Sequence, residues 1–352
     1  MPRGAASPAA PAWGLDAQHD PGPERAAARA QRVELRAAEP VVAPGGGRIV
    51  VGTASWTDPT MTAAGVFYPS DVRTPEDRLR YYSSRFPLVE VDSTYYAIPA
   101  RQVAELWVER TPDAFTFDVK AHALMTGQPS ELSRLPRDLR DALPESLRAR
   151  PRVYAKDLPP EIADEIWRRF LDALEPLRAA GKLGSVLLQY PRWFVPNTAA
   201  KDSIVEAKAR LGTQRGAVEL RNRRWFGDGA RETERTLSFL RELDMPFVMV
   251  DVSPGFESSV PPLHAVTSSS LALVRLHGRN AATWEAAGVP TAERYRYLYD
   301  ERQLAEWVRP VQDAAEEARE VHVLLNNCYA NYGTTNALEL DGMLRRAYGA
   351  AA

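Results

Sequence analysis

RIVVGTASW, residues 48–56, follows the run Pro44-Gly45-Gly46-Gly47, and its first seven residues have the length and β-branched content of a buried strand. A strand feeding a dinucleotide-binding sheet would run on into G-x-G-x-x-G. Here the junction reads Gly52-Thr53-Ala54-Ser55-Trp56, without that spacing. Outward from this stretch the same kind of run recurs at Leu88–Thr94 (LVEVDST), Phe115–Ala121 (FTFDVKA), Ser185–Tyr190 (SVLLQY), Ala217–Arg221 (AVELR), Phe247–Val252 (FVMVDV), Leu271–His277 (LALVRLH) and Val321–Asn326 (VHVLLN). Helical patterns alternate with these runs. Thr74–Phe86 opens with Thr before Pro, a start signal. Ala100–Arg110, Ile162–Ala180, Ala199–Leu211, Thr233–Leu243, Glu301–Arg319 and Asn336–Ala347 follow, and Ser268–Ser270 reads as a turn. Eight strands alternating with helices predict an α/β fold of parallel βαβ units, closed as a (β/α)8 TIM-barrel-like domain rather than opened as a doubly wound sheet.

The flanks set the domain plan. Residues 1–46 are rich in Ala, Pro and Arg, their charges cancel, and Glu24–Glu39 has almost no apolar stripe to dock, so they read as a disordered tail. Residues 47–348 read as one barrel domain. Its third connection, about 122–161, is a long insertion carrying Pro129, Pro136, Pro144, Pro151, Pro159 and Pro160, suited to a lid or a cover. Composition excludes some functions. The 352 residues carry 44 Lys+Arg against 46 Asp+Glu, a net charge of −2, which argues against a broad charge-driven nucleic-acid or membrane binder. No apolar run is long enough for a membrane span, and the first residues lack the apolar core of a secretory signal. The single cysteine, Cys328, excludes an intramolecular disulfide framework and a multi-cysteine zinc site. Cytoplasm is the expected compartment.

Polar residues gather where these strands end. Glu90 and Asp92 end the second strand, Asp118 and Lys120 the third, Gln189 the fourth, Glu219 and Arg221 the fifth, Asp251 the sixth, Arg275 and His277 the seventh, and Asn326 with Asn327 the eighth. Alternate residues of a barrel strand point inward, and barrel chemistry sits at the C-terminal mouth. Burying such charges singly is costly, so the pattern predicts a polar site with paired charges: Glu219 with Arg221 or Arg275, and Lys120 with Glu90 or Asp92. Trp56, Tyr95, Tyr96, Trp225 and the run Tyr295–Tyr299 lie at the same ends, suited to stacking on a flat ligand.

Read together, GTASW at 52–56, FYP at 67–69, VEVDSTYYAIP at 89–99, WVERTPDAFTFDVKA at 107–121, LLQYP at 187–191, VELRNRRWF at 218–226, VRLHGR at 274–279 and LLNNCYANYGTTNA at 324–337 resemble the DUF72, or YecE-like, family of uncharacterised TIM-barrel proteins. The resemblance runs from Ile49 to about Leu344 and implies a TIM-barrel-like fold, without an established reaction. Departures from the family pattern stand at Ala54-Ser55, at Asp92 where Asn is typical, at Asn222 where His is typical, and at Thr126-Gly127.

Three functions compete. The first is an enzyme, a hydrolase or isomerase, acting on an anionic small molecule, phosphorylated or carboxylated. Glu219, His277, Lys120 and Asp92 would be its acid/base groups, and Arg221, Arg275, Asn326, Asn327, Gln189, Trp56, Tyr95, Tyr96 and Trp225 its binding residues. The second is a metal-assisted isomerase or endonuclease-IV-like phosphodiesterase. Glu219, Asp251 and His277 would then hold a divalent metal, a cofactor the sequence does not require. The third is a non-catalytic nucleic-acid or ligand-binding protein that stacks bases on Trp56, Tyr95 and Tyr96. On the first reading, Glu219→Ala or Arg275→Ala is expected to abolish binding and spare the fold.

Overall fold

A computed structural model describes residues 18–34, 38–227 and 229–349. The barrel strands are β1 (Arg48–Ala54), β2 (Leu88–Val91), β3 (Thr116–Lys120), β4 (Leu183–Gln189), β5 (Gly216–Glu219), β6 (Val248–Asp251), β7 (Ala272–Leu276) and β8 (Glu320–Leu325). All pair in parallel. The order runs β5-β4-β3-β2-β1-β8-β7-β6, and the single parallel bridge Val218↔Phe247 brings β5 to β6, so the barrel is nearly closed. The strands stop short of the sequence-predicted ends where a side chain turns the backbone. After β2, Thr94 Oγ1 donates to Val91 O at 3.0 Å and to Lys120 O at 2.6 Å, which curls Ser93–Tyr95 into a 3-10 turn.

Around the strands lie α1 (Pro23–Ala30), α2 (Pro75–Ser83), α3 (Arg101–Glu109), α4 (Pro160–Ala179), α5 (Thr198–Leu211), α6 (Ala230–Glu242), α7 (Glu301–Glu317) and α8 (Tyr332–Gly349). The start signal at Thr74 is a capping box: its hydroxyl accepts from Asp77 N at 3.0 Å, and Asp77 accepts from Thr74 N at 3.1 Å. α4 buries Ile162, Ile166, Phe170, Leu174 and Leu177, the stripe its sequence spacing requires. The alternation is incomplete, however. The segment between β6 and β7 holds no helix, and Pro254, Pro261 and Pro262 account for that.

The described part of the N-terminal stretch is not loose. α1 buries Ala26, Arg29 pairs with Glu339 at 2.7 Å, and Asp20 pairs with Arg296 at 2.9 Å. His19 stacks on Tyr297 at 4.6 Å and accepts the Leu298 amide through its carbonyl at 2.8 Å. Val41–Val42 adds an antiparallel strand beside β1. Residues 18–34 of the expected disordered tail thus dock on the barrel, through charge and aromatic contacts and the single apolar Ala26 against Leu298 and Tyr332 rather than through a broad apolar face; residues 1–17 and 35–37 lie outside the described residues. A chain starting at Ala38 is expected to lose protection of the Leu298 amide in hydrogen exchange, while Leu276 at the barrel centre keeps its protection. Unchanged exchange at Leu298 would contradict the docking.

Register decides what points inward. Reading across the ladders, Arg275 pairs with Leu324, Leu324 with Gly52, Gly52 with Leu88 and, one step up, Ala54 with Glu90, Glu90 with Asp118, Asp118 with Ser185, and Gln189 with Glu219. Residues paired in register share a face, so Glu90, Asp118, Ser185, Gln189, Glu219 and Arg275 all face the interior. The lowest polar contact is Asp118, which accepts from Ser185 Oγ at 2.7 Å and lies 2.8 Å from His322 Nδ1. Gly184 makes room for it. It sits at the one irregularity of the β3–β4 ladder, and a Cβ there would stand 2.5 Å from Asp118 Oδ1.

Candidate functional site

Above this floor lies an ionic layer. Arg275, fully buried on β7, meets Glu90 of β2 through Nε and Nη2 at 2.8 and 2.7 Å and Glu219 of β5 through Nη1. Glu219 also accepts from Gln189 Nε2 at 2.7 Å and Arg221 Nη1 at 3.1 Å, and His277 Nε2 stands 3.2 Å away. Two carboxylates and two guanidiniums alternate, so the layer cancels its own charge. Burial alone would push the Glu219 carboxyl up, but Arg275, His277 and Arg221 hold it well below the usual carboxylate range. Burial pushes Glu90 up despite Arg275 and Lys120, because fewer donors reach it and Asp92 stands near.

The mouth opens on top of that layer as a cavity of about 510 Å³. Its floor is Glu90, Arg275 and Gln189. Asp92, Lys120, Arg221 and Asn326 stand above them, and Tyr95, Tyr96, Trp193, Trp284 and Tyr295 form aromatic walls. Lys120 Nζ lies 4.7 Å from the centre of the Tyr95 ring and, among the described residues, makes no ion pair and no hydrogen bond. Arg221 lies 5.0 Å over Trp284, whose indole NH donates to Ser258 Oγ at 3.0 Å. Tyr95 OH donates to Gln128 at 2.9 Å, and Gln128 donates to Gln189 O at 2.9 Å, tying the insertion to the floor.

Burial raises the Asp92 carboxyl above its ordinary value, and Lys120 offsets only part of that. A carboxyl raised in the folded state is most favourable to folding below its unfolded pKa, and that contribution is lost as pH rises through the folded value. Asp92→Asn is therefore expected to raise the melting temperature at pH 7. The advantage should vanish in acid below the carboxylate range, which thermal denaturation at the two pH values would check.

The predicted site residues divide. Asp92, Lys120, Gln189, Arg221, Arg275, Asn326, Tyr95 and Tyr96 line the cavity. Glu219 lies beneath them as an ionised, fully engaged anchor, so a proton-shuttling role does not suit it. His277 is buried, its Nδ1 2.6 Å from Asn326 Nδ2, and burial pulls its pKa down to about 4, so it is a neutral prop for Asn326. Trp56 packs edge-on against Trp107 and Phe117 under the lip. Trp225 is buried, stacks on Phe194 and donates to Phe194 O at 2.7 Å. Asn327 faces outward, donating to Tyr297 O and Asn336 at 2.8 Å each.

The metal set does not assemble. Asp251 pairs in register with Leu276, one position out of phase with Arg275, and its carboxylate is taken by Arg279 at 2.6 Å, Tyr299 OH at 2.9 Å and Trp307 Nε1 at 2.9 Å outside the strands. No His, Cys, Asp or Glu cluster able to hold a metal occurs among the described residues. The Lys120 ion pair with Glu90 or Asp92 is also not formed. Trp284, Arg192, Trp193, Arg294 and Gln128 were not foreseen as lining residues. The length of the stretch between His277 and Glu301 was the available signal for Trp284 and Arg294.

The family described as "Protein of unknown function DUF72" matches residues 50–351. The chain belongs to the DUF72 family. It is 29% identical over 303 residues to the UPF0759 protein YunF of Bacillus subtilis (strain 168), covering 85% of this chain and 96% of that one. A DUF72 family protein of Thermotoga maritima MSB8 superimposes with a TM-score of 0.65 at 28% identity, over 84% of this chain and 98% of that one. One from Enterococcus faecalis V583 gives 0.65 at 25%, over 84% and 95%. The DUF72 match begins at residue 50, so α1 lies outside it and the residues it docks on lie within it. No helix among the described residues is long and apolar enough to cross a membrane.

Proposed function

We propose that the barrel mouth binds a small anionic substrate, phosphorylated or carboxylated, and that Asp92 and Lys120 exchange protons with it. One observation carries this reading. The charges of Glu90, Glu219, Arg275 and Arg221 pair with one another, yet the Lys120 ammonium, over the Tyr95 ring and near Asp92, makes no ion pair or hydrogen bond among the described residues and lines the cavity. An ammonium with no carboxylate directly bonded to it, in a partly enclosed site, is suited to a phosphate or carboxylate oxygen. Arg221, stacked on Trp284, adds a guanidinium whose exposed edge can take a second oxygen. Asn326, held by His277, supplies a fixed amide for a hydroxyl or carbonyl.

The chemistry that suits this set is acid–base transfer in hydrolysis or isomerisation. A carboxyl raised by burial, beside an ammonium, provides a proton donor and acceptor within one site. A thermal-shift screen of phosphorylated and carboxylated metabolites, followed by turnover assays of the hits, tests the reading. Hits should stabilise the protein, and Asp92→Asn should retain binding while losing turnover by about 100-fold or more, the usual contribution of a positioned acid/base group. A screen without anionic hits would overturn it.

A further inference from the structure

A second cavity of about 240 Å³ adjoins the mouth and shares Tyr95 and Tyr96 with it. Its other walls come from the insertion: Ala123, Pro129, Ser130, Glu131, Arg134 and Arg152. The two tyrosines meet edge to face, ring centres 5.0 Å apart, and form the saddle between the cavities. Each carries a cation on its own side. Lys120 Nζ stands 4.7 Å from the Tyr95 ring centre, facing the mouth, and the Arg134 guanidinium stands 5.5 Å from the Tyr96 ring centre, facing the second cavity. The insertion fixes this arrangement through a two-stranded ladder that sets Glu131 opposite Arg152. Glu131 lies 3.1 Å from Arg134 and 3.9 Å from Arg152, so one carboxylate serves two guanidiniums and a positive charge is left over. Tyr96 remains 47% exposed, an apolar surface between two polar pockets.

We propose that the second cavity is an anion subsite of the same ligand: a bis-anionic small molecule of the bisphosphate type, one phosphate at Lys120, the other at Arg134 and Arg152, its middle lying across Tyr95 and Tyr96. This rests on the reading of the mouth as an anion site and extends it to the length and charge of the substrate. The insertion then acts as part of the binding site, selecting for length.

Titration calorimetry at constant ionic strength, with inorganic phosphate and a series of α,ω-alkane bisphosphonates of increasing chain length, tests the proposal. Joining two anions that occupy adjoining sites raises affinity through effective concentration. The best bisphosphonate is expected to bind about 10-fold or more tightly than phosphate, with an optimum at one chain length. Arg134→Gln/Arg152→Gln should abolish that gain and leave phosphate binding in the mouth unchanged. Phosphate binding with no gain from any bisphosphonate, or a gain that survives the double substitution, overturns the second subsite and leaves the first reading standing. No phosphate binding, or phosphate binding unchanged by Lys120→Met, overturns both.

Discussion

Arg275→Met is expected to lower stability at pH 7 by about 3–5 kcal/mol, the cost of removing one partner from a buried ion pair. The side chain is fully buried and its three nitrogens bind Glu90 and Glu219. Without it, two carboxylates stand in the barrel with Arg221 and Lys120 as the nearest compensation. Their pKa values then rise, and the penalty of holding them ionised grows with pH. Urea denaturation should show the deficit largest at neutral pH and shrinking as pH falls through the carboxylate range. Adding Glu90→Gln and Glu219→Gln to Arg275→Met removes the stranded charges and should recover most of the loss. Equal stability of Arg275→Met and wild type at pH 7 would contradict the ionic layer. The sequence alone suggested that Arg275 could be removed with the fold spared; its burial between two strands shows that loss of binding in an Arg275 variant would report unfolding as much as recognition.

Lys120→Met isolates recognition from stability. The methionine keeps most of the stem that covers Tyr95, and the lost ammonium makes no ion pair or hydrogen bond among the described residues, only the contact with the Tyr95 ring and a longer-range attraction to Asp92 and Glu90. Stability should therefore fall only modestly, by about 1 kcal/mol or less, through the lost Tyr95 contact and the weaker compensation of Asp92 and Glu90. Anion affinity should fall. A hydrogen bond to a charged group contributes about 1.5–3 kcal/mol, which corresponds to an affinity about 10- to 150-fold weaker by calorimetry. The pH profile supplies a second signature. Lys120 partly offsets the effect of burial on Asp92, so its removal lets the Asp92 pKa rise further. The acidic limb of any activity profile governed by Asp92 should move to higher pH. Full affinity in Lys120→Met would remove the cation on which the site assignment rests.

Period-two counting puts Glu90 with Asp92, Asp118 with Lys120, Glu219 with Arg221 and Arg275 with His277; the ladders hold Glu90, Asp118, Lys120, Glu219 and Arg275 in one phase, and Asp92, Arg221 and His277 lie just past the paired residues. A two-residue period is fixed by backbone geometry, so it survives without knowledge of the partners. It fails where the phase is unanchored. Asp251 was read as a mouth residue, but its strand is joined on one side by a single bridge and its phase is set through Leu276, so the carboxylate faces Trp307 and Tyr299. Nothing local to FVMVDV shows that partnership, since Trp307 lies 56 residues away.

Aromatic positions were less legible than charges. Trp225 follows β5 as Tyr95 follows β2, yet the 3-10 turn at Arg223–Trp225 folds the indole against Phe194, while Tyr95 and Tyr96 stay in the wall. The direction of a ring after a strand depends on the turn, and the turn depends on caps such as Asn222 Oδ1 accepting from Arg224 N at 2.9 Å. The N-terminal helix was opaque for another reason. It docks through Arg29, Asp20 and one buried alanine, so it has no apolar stripe to read.

The most direct test of the mouth as an anion site is anomalous diffraction from a crystal soaked in selenate, a tetrahedral dianion whose selenium can be located without bias. The account predicts a peak in the cavity within hydrogen-bonding reach of Lys120 Nζ, on the side facing Arg221 and Asn326, and no such peak in Lys120→Met. Selenium found only on the outer surface, with the mouth empty at saturating selenate, would contradict it.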